Sequence, residues 1–145
     1  MALLTGCGGG GSGDSGVAGA VGRWGDAVRA FDSQLRSCGR RVYPTRDFFS
    51  ACMKQPPLEY PRAAAGVRRA FGARAECSRA ADSAGRILDR DLSLLAQEIT
   101  FSDDLNNAAT DRLSYSGPPL AEFQAQARGT ISTDLASLRK LSDGC

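Results

Sequence analysis

Val17, Val21, Trp24, Val28, Phe31, Leu35 and Cys38 recur at spacings of four and three, which winds them onto one stripe of an α-helix. Arg23, Asp26, Arg29, Asp32 and Arg36 occupy the opposite side, and Gly39 stands where a glycine ends a helix. Nowhere does the chain alternate apolar and polar residues with a period of two, the pattern of a half-buried strand. The constraint is therefore an all-α fold whose helices bury one stripe each.

The remaining stripes follow in order. Thr45 reads as the N-cap of a short helix, Arg46 to Lys54, that turns Phe48, Phe49, Cys52 and Met53 inward before Pro56-Pro57 stops it. A long third helix is predicted from Pro61, with Ala70, Ala73, Cys77, Ala81, Ala84, Leu88, Leu92, Leu95 and Ile99 on its stripe. Asp103 to Leu113 reads as a short polar helix, and Gly117-Pro118-Pro119 breaks the chain. A last helix then buries Leu120, Phe123, Ala127, Ile131, Leu135 and Leu138. Three long helices and one or two short ones, joined by short proline-bearing links, predict a small antiparallel bundle.

Of five cysteines, Cys7 sits in a glycine run, leaving Cys38, Cys52, Cys77 and Cys145. Four cysteines in an exported domain read as two disulfides with three possible connectivities. If the first helix runs down, the third up and the last down, Cys38, Cys52 and Cys145 gather at one end. That arrangement predicts Cys38–Cys145 with Cys52–Cys77. No C-x-x-C pair occurs, which argues against a thioredoxin-like or zinc-knuckle site.

Leu4, Thr5 and Gly6 ahead of Cys7, with Gly8-Gly9-Gly10-Gly11-Ser12-Gly13 behind it, resemble the lipobox of bacterial lipoproteins and the tether that follows it. The resemblance covers the first sixteen residues. It implies that residues 1–6 are the remnant of a signal peptide, that Cys7 is diacylated with palmitate-type chains, and that 7–16 link it to a helical domain over 17–145. It also implies export to the outer face of a bacterial cell membrane. Only six residues precede Cys7 and none is basic, so the basic and apolar parts of a full export signal are expected upstream of Met1. The alternative is an accidental match in a cytosolic helical protein with reduced thiols.

The chain has no histidine, which removes Ser-His-Asp and Cys-His catalysis and imidazole metal sites. Gly11 to Gly16 spells G-x-G-x-x-G but lacks the strand before it that a dinucleotide site needs. Ser137 and Lys140 spell S-x-x-K without the companion motifs of the serine β-lactamase type. Asp103, Asp104, Asn106 and Asn107 cluster oxygens, yet the register fails for an EF-hand-type loop, and capping explains them better. Glu59, Glu76, Glu98 and Glu122 look like solvated charges. Neither a catalytic set nor a metal or cofactor site is expected.

Charge is the remaining lead. Arg23 to Arg79 holds twelve basic and five acidic residues, a local net charge of +7; Ala80 to Cys145 holds six and ten, a net of −4. Arg36, Arg40, Arg41, Arg46, Arg62, Arg68 and Arg69 are expected near one end of the bundle, facing an anionic partner. Anionic lipid headgroups, wall polymers or an acidic protein suit an exported domain; nucleic acid does not. The expected function is a non-catalytic, membrane-anchored binding module of the cell envelope. A second expectation is a carrier holding a small apolar or anionic ligand between helices, lined by the alanine half of the third helix with Phe48, Phe49 and Met53.

Overall fold

The computed structural model describes residues 16–39 and 46–145. Helix occupies 82% of them and no strand forms among them, as the period of the apolar residues requires. The helices are α1 (Val17–Gly39), α2 (Phe48–Met53), α3 (Tyr60–Gly72), α4 (Ser78–Thr110) and α5 (Leu120–Asp143), with a 3₁₀ turn at Ala75–Cys77 between α3 and α4.

One predicted helix is thus two. The stripe drawn through Ala70, Ala73 and Cys77 followed small residues, whereas α3 buries Tyr60, Ala64, Val67 and Phe71. Phe71 and Cys77 are six residues apart, which on a continuous helix would set them about 120° apart and put Cys77 out of phase with the stripe of Tyr60, Ala64, Val67 and Phe71. Both are fully buried, Phe71 at the end of α3 and Cys77 after the turn that follows it. The chain breaks at Ala73, reverses through the 3₁₀ turn, and α4 restarts with Cys77 at its head. Conversely, the short helix predicted over Asp103 to Leu113 is the last part of α4, which runs unbroken for 33 residues.

Four helices pack as an up-down-up-down bundle in which α1 touches α3 and α5, and α4 touches the same two. Each neighbouring pair is antiparallel. Phe31 meets Tyr60 edge to face at 5.4 Å, Arg68 bonds Asp89 at 2.6 Å, Phe101 meets Phe123 at 5.0 Å, and Arg128 lies 3.6 Å from Asp32. α1 and α5 come closest at Gly25, where a Cβ would stand 3.2 Å from a Leu135 methyl. At the α4–α5 turn, a Cβ on Gly117 would overlap the Tyr115 ring, whose hydroxyl donates to the Pro118 carbonyl at 2.9 Å.

α3 spans only 13 residues against 33 in α4, so the lower part of α4 lacks a neighbour on that side. α2 fills the place. A six-residue helix is not stable alone, and its ends are held by other helices. Asp103 and Asn107 of α4 accept the N–H groups of Ser50 and Asp47 at 3.1 and 2.9 Å. Gln34 of α1 donates to the carbonyls of Cys52, Met53 and Pro56. Asp103 and Asn107, two of the four residues in the acidic and amide cluster of the sequence, therefore cap a helix other than their own. The predicted cap Thr45 lies outside the described residues.

The extra reversal changes the disulfides. With α1 down, α3 up, α4 down and α5 up, Cys145 finishes at the upper end, beside the α3–α4 turn. The pairs are Cys38–Cys52 at the lower end, Cα atoms 5.9 Å apart, and Cys77–Cys145 at the upper end, 5.3 Å apart. The predicted pairing of Cys38 with Cys145 and Cys52 with Cys77 is corrected: it rested on three traverses where the chain makes four. All four cysteines are used, as expected.

The two bridges close loops of 14 and 68 residues, which in the chain-entropy description contribute roughly 3 and 4 kcal/mol. Peptide mapping without reduction should recover Cys38 linked to Cys52 and Cys77 linked to Cys145. The Cys77→Ser/Cys145→Ser variant should lose more stability in urea than Cys38→Ser/Cys52→Ser, and the reverse order would count against the upper bridge.

Candidate functional site

α4 carries an inward seam of polar residues that its leucines hide: Asp91, Glu98 and Ser102 are buried at positions in phase with Leu88 and Leu95. α5 adds a buried Asp134 between Ile131 and Leu138. Glu98, expected to be a solvated charge, is fully buried. Spacing alone placed it on the stripe, since it follows Leu95 by three residues. Asp91 follows Leu88 in the same way, but a carboxylate at such a position is scored as polar and passed over.

Asp91 and Asp134 form one group. Arg90 clasps Asp134 with two nitrogens, Nε at 2.8 Å to Oδ2 and Nη2 to Oδ1. The Asp134 carboxylate is enclosed while the guanidinium reaches solvent, so the cation snorkels and the anion stays inside. Asp91 lies beside this pair with no hydrogen bond of good geometry on either oxygen, and the buried Trp24 indole N–H also lacks one. Burial first, then the neighbouring Asp134, pushes the Asp91 carboxyl up to about 8, against the opposing pull of Arg90 and Trp24. Asp91 is thereby held towards its protonated form, because two adjacent anions in a dry core repel. Two turns below, burial and then Asp32 lift Glu98 to about 7, with Arg128 acting against them.

The acids converge, but neither the pair nor Glu98 lines the surface clefts at the bundle's ends and grooves. Glu98 marks instead the roof of a cleft one turn further down. This lower cleft, of about 460 Å³, opens between α1, α4 and α5 with α2 at its edge. Leu35, Phe49, Leu105 and Leu120 make its apolar wall; Arg36, Ser102, Asn106, Gln124 and Arg128 supply its polar groups. Every charged residue lining it is basic. Ser102 Oγ, Asn106 Nδ2 and Arg128 Nε are buried and make no hydrogen bond. Three groups able to donate thus stand without a hydrogen bond around one hollow, Arg128 having only the ion pair of Asp32 at 3.6 Å, a costly arrangement unless something with acceptors enters.

The arginines predicted to share one end are divided. Arg36 and Arg46 belong to the lower end, and Arg46 bonds Asp111 at 2.7 Å. Arg62, Arg68 and Arg69 lie along α3, where Arg68 is paired with Asp89 and Arg62 approaches Glu59 at 3.5 Å. Arg62 and Arg69 share with Arg23 a groove between α1 and α3 that also holds Asp26 and Glu59. Arg40, Arg41 and Cys7 lie outside the described residues. The cavity expected between the alanine half of the third helix and Phe48, Phe49 and Met53 does not form. Ala81 and Ala84 belong to the upper part of α4, while Phe49 and Met53 are buried at the lower end and Phe48 is half exposed. Among the described residues no cluster of three metal-ligating side chains occurs, and no helix is long and apolar enough to cross a membrane.

Asp91 and Glu98 carry raised pKa values, so the folded state holds protons that the unfolded chain has released above its ordinary carboxylate range. The stability they confer is full below about pH 4 and declines as pH rises towards 7 and 8. Thermal melts should therefore give a higher Tm at pH 5 than at pH 8. Asp91→Asn/Glu98→Gln should flatten that slope and raise Tm at pH 8; an unchanged slope would show that both acids are ionised in the fold.

Compared with protein-family models, with curated proteins and with solved structures, the chain matches none, so its function is argued from its own residues.

Proposed function

We propose that the chain is a non-catalytic ligand-binding module of the bacterial cell envelope, anchored at the outer face of the membrane through acylated Cys7, with the lower cleft as its binding site. The observation that carries the binding reading is the set of unsatisfied donors around that cleft: Ser102, Asn106 and Arg128. Its volume lies within the roughly 300–1,000 Å³ that small-molecule sites enclose, and an apolar wall with a few convergent polar groups is their usual lining. Two disulfides support an oxidising compartment, the one that lipidation at Cys7 also requires.

The anchor and the cleft suit each other. Cys7 joins the bundle through the start of α1, whereas Leu35 and Gly39, at the other end of the same helix, line the cleft. A helix of this length spans about 34 Å, so the cleft lies at the opposite end of α1 from the end that joins the segment carrying Cys7.

The anchor is tested by producing the protein from its natural DNA, with the region upstream of Met1, in a bacterium that processes lipoproteins. Mass spectrometry should find a mature chain starting at Cys7 and carrying acyl chains, in the membrane fraction. Cys7→Ser should release it to the soluble fraction. A full-length chain with an unmodified Cys7 thiol would overturn the anchor.

A further inference from the structure

The chemistry of the lower cleft narrows its ligand, an inference that rests on reading the cleft as the binding site. Its back wall carries three groups able to donate that make no hydrogen bond: the Ser102 hydroxyl, the Asn106 amide nitrogen and Arg128 Nε. Ser102 is only 6% exposed and lines the hollow, so a group inside it has to come from within the cleft. The three approach from two helices. Ser102 and Asn106 lie one turn apart on α4, and Arg128 faces them from α5 above Gln124.

Charge sets the valence of the head group. Arg36 and Arg128 line the cleft and no acid does. Behind Arg128 stands Asp32, 3.6 Å from Nε, which balances one of the two cations. Glu98, facing Arg128 and Asp32, is held towards its neutral form by burial. The balance is close to one uncompensated positive charge, which suits a monoanion better than a phosphate dianion. The opposite wall is apolar, formed by Leu35, Phe49 and Leu120, and calls for a hydrocarbon body on the same molecule.

We propose that the lower cleft binds a small amphiphilic monocarboxylate, its carboxylate received by Ser102, Asn106 and Arg128 and its hydrocarbon body laid against Leu35, Phe49 and Leu120. Side-chain rotation of the kind common on binding brings the three donors onto the head group. The same chemistry would come from a free fatty acid of medium chain length or from another short apolar acid.

The experiment titrates octanoate, octanol, octylammonium and octyl phosphate into the full chain with both disulfides formed, at pH 6. Binding is followed by calorimetry and the site by amide NMR shifts. Octanoate should bind at least tenfold more tightly than the other three, with shifts concentrated on the α4, α5 and α1 residues of the cleft. Ser102→Ala/Asn106→Ala, checked for folding by circular dichroism, should weaken octanoate by tenfold or more while leaving octanol unchanged. If octanol or octylammonium binds in the cleft as tightly as octanoate, the carboxylate assignment falls and the cleft stands as a binding site. If octyl phosphate binds more tightly, the monoanion assignment falls. If none of the four shifts a cleft residue, the inference and the binding role of the cleft fall together.

Discussion

The reversal of the chain between Phe71 and Cys77, both fully buried, is the constraint from which the architecture follows. α3 ends its buried stripe at Phe71, and the chain turns back through Ala75–Cys77 so that Cys77 enters the core at the head of α4. The reversal turns three traverses into four and closes a four-helix bundle. It also sends α5 upward, so that the terminal Cys145 arrives beside Cys77 instead of Cys38. Each end of the bundle then receives its own disulfide. The length left over in α4 creates the lower tier, where α2 stands in for a shortened α3 and the cleft opens.

Burial of apolar stripes accounts for most of the core, but not for its acids. Asp91, Glu98 and Asp134 occupy positions that leucine would fill at a gain in stability. Arg90 meets the cost of Asp134 from the solvent side; Asp91 and Glu98 meet theirs by keeping protons. The result is a core whose strength is tied to pH. The same principle governs the lower cleft in a different form. There, buried donors make no hydrogen bond, and the deficit sits beside an opening, not in a sealed interior. An enclosed deficit is a protonation problem; one at an opening is an opportunity for a ligand.

Much of this was legible in the sequence. The stripe from Val17 to Cys38 is α1 as built, the proline-flanked short helix is α2 to within two residues, and the use of four cysteines in two bridges follows from their number and setting. The α3–α4 break was also present, in the bulk of Val67 and Phe71, but a stripe drawn through alanines concealed it. Alanine is small enough to lie on either face of a helix and carries little phase information. The buried acids were harder to find, because a carboxylate in phase with leucines looks the same whether it is sealed in or lifted clear.

What the sequence by itself determined is the local physics: which segments are helical, where proline and glycine interrupt them, and that histidine-based chemistry is absent. Those properties depend on residues within a few turns of one another. Only the tertiary structure decided the pairing of the cysteines, the division of the arginines, and the meeting of Ser102, Asn106 and Arg128 at one hollow. These depend on how many times the chain reverses, since one added turn exchanges the ends to which every later residue is delivered.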